Sequence, residues 1–135
     1  MSTAAAFTAI RAYLEANWTA TPMAWENEAF LKPSPPSPFV TVQITGDIWD
    51  QYSIGAADRA SNRWREHGEL MLDIIVPAGT GGLTARTQAS ALANLVRGLS
   101  LGDIEFRDIS IGLGVAADDR GPWFLLPMRV AWIKG

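Results

Sequence analysis

The chain has no cysteine and a single histidine among its 135 residues. The first absence removes a disulfide framework, a thiolate nucleophile and any thiolate zinc site. The second removes a two-histidine metal site and leaves His67 with no second imidazole to share acid–base work. Excess positive charge is lacking too. Eleven Lys and Arg against fourteen Asp and Glu give a net −3, which disfavours a nucleic-acid-binding module and leaves room only for a local basic patch. Long apolar runs are missing: residues 70–76 are interrupted by Asp73 and fall short of the ~20 residues that span a bilayer, so no membrane role is expected. Residues 1–18 have no basic stretch ahead of their apolar ones and carry Arg11 and Glu15. They do not read as a secretory signal, and synthesis in the cytoplasm is expected.

What is present is enough for one folded domain. The chain is 48% hydrophobic and 19% charged, a balance too apolar for disorder, and its length suits a single core spanning 1–135. Six tryptophans stand beside five phenylalanines and two tyrosines. Large aromatics of this kind fill cores or subunit interfaces.

Phe7, Ile10, Leu14 and Trp18 recur at spacings of three and four among alanines, which predicts a helix capped by Ser2 or Thr3 and ended at Asn17. A short strand is expected at 23–26. Residues 30–38 hold four of the eight prolines and read as an extended connector. Alternation predicts a strand over 39–45, with Val40, Val42 and Ile44 inward, and another over 69–76. In the second, Leu70, Leu72, Ile74 and Val76 form the inner row and Met71, Asp73 and Ile75 the outer one. Between them, 46–68 is polar and without sustained period. It is expected to be a long loop or β-hairpin reaching beyond the sheet toward a neighbouring subunit.

After a glycine-rich turn, Leu83, Ala89, Leu92, Leu95 and Val96 predict a second helix over 83–97. A meander follows: a short strand at Ile104 and Phe106, a longer one through Ile109, Ile111, Leu113 and Val115, a turn at Asp118-Asp119-Arg120-Gly121, and a last strand from Phe124 to Trp132. Pro127 lies within that last strand, so its nitrogen should face a bulge or an unpaired edge. The order gives an α+β fold, a mostly antiparallel sheet with two helices packed on one face.

No grouping of residues makes a convincing catalytic or cofactor site. Pro77-Ala78-Gly79-Thr80-Gly81-Gly82 precedes a helix but lacks the phosphate-loop lysine, so a tight turn is expected. His67 has Glu66 and Glu69 beside it on a strand, where alternate residues point apart, and a solvated histidine is expected. Asp118, Asp119 and Glu105 lack calcium-loop spacing. Trp18 and Trp132 continue core rows. Trp49 and Trp64 flank the long segment and, with Arg59, Arg63 and Arg65, are the candidate assembly residues, since guanidinium forks and exposed tryptophans suit protein contacts.

Taken in order, Ile10-Arg11, Leu14-Glu15 to Trp18, then Pro22-Met23-Ala24-Trp25-Glu26-Asn27-Glu28, Pro38-Phe39-Val40 and Val76-Pro77-Ala78-Gly79-Thr80-Gly81 resemble the tail terminator-like proteins of tailed phages, prophages and gene transfer agents. The resemblance runs over nearly the whole chain, the last third matching only as a generic strand hairpin. It implies a non-enzymatic structural protein without cofactor that forms a ring, typically a hexamer, on the head-proximal end of a tail tube in the particle. Such a ring stops tube polymerisation, joins the tail to the head connector or stopper protein, and leaves a lumen for DNA passage. Alternatives are a neck or stopper component of the same particle, or a small-ligand-binding domain with an aromatic pocket.

Overall fold

Thr3 opens the first helix by accepting a hydrogen bond from Ala6 N at 3.4 Å, and the alanine-rich segment behind it runs as α1 (Ala4–Asn17), burying Ala6, Ile10 and Leu14. The structure, a computed structural model, describes residues 2–117 and 122–135. The elements that follow are β1 (Met23–Trp25), β2 (Phe39–Gln51), a 3-10 turn (Arg59–Ser61), β3 (Trp64–Pro77), α2 (Leu83–Val96), β4 (Ser100–Leu101), β5 (Ile104–Ile111), β6 (Val115–Ala117) and β7 (Trp123–Lys134). The expected turn at 118–121 lies outside the described residues. No described helix is long and apolar enough to cross a membrane.

The strands form one sheet in the order β1-β2-β3-β7-β5-β4, with β6 also on β7. Only β1 and β2 run parallel; the other pairs are antiparallel. The fold is therefore the expected α+β type. The parallel pair arises because the 26–38 connector is long enough to carry the chain back to the start of β1 before β2 begins.

Both helices contribute to one core with the inner rows of the sheet. Ile10, Leu14, Ala89 and Leu92 meet Val42, Leu70, Leu72, Met128, Val130 and Trp132, all of them buried. Tyr13 on α1 donates its hydroxyl to Leu95 O at 2.7 Å, which ties the two helices together.

A second, smaller core lies on the opposite face. Phe39, Ile75, Trp123 and Leu125 are buried there and Phe30 of the connector packs on them, with Phe30 and Phe39 ring centroids 5.0 Å apart. Phe39 meets Trp123 edge-on at 5.2 Å. Ile75, expected in the outward row, is thus covered: alternation identifies the face a side chain occupies, but not whether a loop folds over it. Arg11 holds the start of the connector, pairing with Glu28 and Glu15 and lying 4.6 Å over the Trp25 ring. Its contacts hold the Glu28 carboxyl below the usual carboxylate range, chiefly by hydrogen bonding.

The meander differs in its breaks. One strand covers 104–111 with a register shift between Phe106 and Ile109, and the chain leaves the ladder at 112–114 before β6 resumes opposite Leu125. Gly114 explains the position: a Cβ there would stand 2.1 Å from the Phe124 ring. Pro127 sits as expected, facing this break, where its carbonyl accepts from Gly112 N at 2.8 Å.

Candidate assembly surface on the β2–β3 hairpin

β2 and β3 pair from Phe39↔Ile75 to Gln51↔Trp64, with one register shift between Gly46 and Ile48. The expected end of the first strand at 45 is therefore too early and the expected start of the second at 69 too late. About half of 46–68 continues the ladder, and only 52–63 is a connection. The extra residue at the shift reverses the inward phase of β2, which is why no period was visible there. Beyond it Trp49 and Gln51 lie opposite Glu66 and Trp64, on the helix side, while Ile48 and Asp50 face the other way.

Two contacts fix the root of this hairpin. Glu66 is 1% exposed, and its carboxylate accepts from Thr3 N at 2.7 Å and Thr3 Oγ1 at 2.8 Å. A buried anion is tolerable here because it sits at the N-terminus of α1, where amide donors and the helix dipole compensate it. Gly68 lies under the Trp132 ring: a Cβ on it would be 1.9 Å from Thr45 O and 2.4 Å from Trp132 Cζ2.

Toward the tip, the five candidate residues divide into two groups. On one side Tyr52 carries Arg65, 3.9 Å from its centroid, and Arg63 at 5.5 Å. Arg65 also pairs with Asp50 at 3.6 Å, and Asp50 meets His67 Nε2 at 3.0 Å. The His67 hydrogen bond, with help from the charges of His67 and Arg65, holds Asp50 below the usual carboxylate range. His67 is thus not the freely solvated side chain expected, and neither neighbouring glutamate is its partner. The diagonal cross-strand position of Asp50 decides this.

On the other side Arg59 lies 5.9 Å over Trp64, whose Nε1 donates to Arg59 O at 3.1 Å, and Arg59 Nε donates to Gln51 at 3.2 Å. Trp49, 56% exposed, shares that face. Four of the six tryptophans are buried: Trp18 and Trp132 as expected, with Trp25 and Trp123 besides.

Ile48, Tyr52 and Ile54 were not singled out from the sequence, yet they are 59%, 53% and 89% exposed. With Trp49 they place four uncovered apolar side chains within seven residues, Trp49 on the helix side of the hairpin and Ile48 on the other. The signal was present as Ile-Trp-Asp-Gln-Tyr-Ser-Ile, apolar residues inside a polar stretch with no core row to join.

Between the hairpin root and β5 lies an open cleft of about 330 Å³ lined by Tyr52, Arg63, Arg65, Asp103, Glu105 and Arg107. Its charges are largely matched internally, Glu105 with Arg107 at 3.0 Å and Asp103 with Lys134 at 3.0 Å. No group of three or more His, Asp or Glu placed to hold a metal occurs among the described residues. Asp118 and Asp119 lie outside them. The Pro77-to-Gly82 step is a turn, with Gly79 and Gly81 at φ of 82° and 84° and Thr80 Oγ1 donating to Pro77 O at 2.8 Å.

Replacing Arg59, Arg63 and Arg65 together by alanine is expected to lower stability only modestly, because surface stacking and ion pairs, those of the half-buried Arg65 included, each contribute ~0.2 to 1 kcal/mol. Capture of a binding partner should weaken much more, and more at low salt than at moderate salt. Melting temperature and partner capture on the same triple variant check this; unfolding would assign the arginines to the fold instead.

No family model matches the chain, and no curated protein matches it. Several solved structures are similar; one of them matches over 96% of this chain and 95% of its own, with a TM-score of 0.62 and 22% sequence identity. At that identity the likeness shows a shared fold, and nothing further, over nearly the full length of both chains.

Proposed function

We propose that the protein is a structural assembly component of a phage-like particle, forming a ring on the head-proximal end of a tail tube. In that place it halts tube polymerisation and presents its other face to the head connector. The observation that carries the reading is the hairpin. Its root is pinned by Glu66 and Gly68 and exposes Ile48 and Trp49, and its tip exposes Tyr52 and Ile54 with Arg59 and Arg63 beside them. Apolar side chains on an arm with a fixed root are suited to engaging a partner, whose contacts would order the tip. The α+β fold and the ordered motifs that resemble tail terminators agree with it.

A producing strain that lacks the protein should make tails of uncontrolled length or tails detached from heads, as measured by negative-stain microscopy. Detached tails of normal length would move the assignment to a neck or stopper component. Normal tails and full infectivity would refute both.

A further inference from the structure

Apart from the hairpin, and from Leu31 and Leu83 which stand singly, the exposed large apolar residues among the described ones gather on a second segment: Ile111, Leu113 and Val115 are 45%, 88% and 55% exposed. Among the described residues this strip has an open backbone edge. β6 pairs with β7 alone, 112–114 has left the ladder, and β4 pairs with β5 only at Ile104 and Glu105. Open edges and apolar side chains together make a surface for strand-like docking.

Tip and strip lie toward opposite ends of the sheet. Lys134 is opposite Glu66 at the hairpin root, whereas Leu125 is opposite Val115. At ~3.3 Å per residue along β7 these points are roughly 30 Å apart, and the tip projects further still. A chain cannot place its own tip on its own strip.

We propose that the hairpin tip of one copy docks on the 111–115 strip of a second copy, in a head-to-tail contact. Charge favours the pairing. Among the described residues Arg59 and Arg63 lie in no ion pair, and Asp108, three residues before Ile111 in a cleft shared with Ile48 and His67, lies in none either. Two different surfaces on one chain give a heterologous contact, which propagates and closes into a ring when the rotation between copies permits. The inference deepens the ring reading and depends on it only for the closure.

The absence of cysteine makes the contact testable by unique thiols. Copies carrying Ile54→Cys are mixed with copies carrying Leu113→Cys and treated with a short bis-maleimide, with Ile54→Cys plus Thr8→Cys as the control pair. Both tested positions are nearly fully exposed, so both variants should melt like the parent. The 54–113 product should exceed the control by tenfold or more, and adding Arg63→Glu to the first copy should reduce it, with recovery when the second carries Asp108→Arg. A product no greater than the control overturns the docking. Rings in micrographs without the 54–113 product would sink the docking and leave the ring reading standing; the product without any tail defect in the deletion strain would do the reverse.

Discussion

Gly68→Ala is expected to destabilise the fold by about 3 kcal/mol or more, lowering the melting temperature by about 10 °C or more. The reason is local and steric. The new methyl would fall 1.9 Å from Thr45 O and 2.4 Å from the Trp132 ring, and neither can move freely. Thr45 O belongs to the ladder partner of β3, beside the register shift, while Trp132 is 1% exposed in the main core. Gly82→Ala is the control. There the nearest atom, Arg86 Nη1 at 2.2 Å, is the end of a flexible exposed side chain, and the backbone is already right-handed helical. Its cost should be at most about 1 kcal/mol. Thermal melts of both variants decide the matter; a Gly68→Ala protein that melts with the parent would mean that the hairpin root is not packed as described.

Amide exchange should divide the hairpin sharply. In the free protein, 52–63 should exchange fast, and on assembly it should slow by at least tenfold. No residue in that stretch is buried. It is held by a few contacts at the surface: Tyr52 N to Arg63 O at 2.6 Å, Arg63 N to Ser53 Oγ at 2.8 Å, Ala56 N to Asn62 Oδ1 at 2.9 Å and the Asp58 cap on Ser61 N at 3.0 Å. Segments with so little burial open at small free-energy cost, whereas contacts from a neighbour would raise that cost. Exchange at 66–75 should be slow in both states, because those amides lie in a ladder flanked by β2 and β7. Equal protection of 52–63 in free and assembled protein would contradict a role for the tip in assembly.

Much of this architecture was legible in the sequence because its periods are clean. The three-and-four spacing from Phe7 to Leu14 and the inner row Leu70, Leu72, Ile74 and Val76 each mark a face turned to the main core, and both matched the structure. Three things were hidden for physical reasons. The arms of the hairpin were masked by the register shift after Gly46, which reverses the inward phase of β2 just where the composition turns polar. Glu66 reads as a surface charge, and only the arrival of Thr3 from 63 positions away makes its burial tolerable. Ile75 reads as outward, and only the return of Phe30 covers it.

The candidate site was legible in part. Trp49, Arg59, Arg63, Trp64 and Arg65 all fall on the hairpin, as proline-free polar length and arginine content implied. Their division into an Arg63–Arg65–Tyr52 side and an Arg59–Trp64 side depends on cross-strand register, which composition does not encode. The apolar residues beside them were passed over because isolated apolar residues on a surface are ordinary, and only their grouping gives them meaning.

The central claim is that this protein closes the growing end of a tube by contacts through its hairpin. Purified protein mixed with purified tail tubes and imaged by negative stain tests it most directly. The account predicts a ring at one end of each tube, no further elongation when tube subunits are added, and loss of both effects in a variant carrying Trp49→Ala and Ile54→Ala with a parental melting temperature. Bare tubes that keep elongating in the presence of the folded parent protein would contradict it.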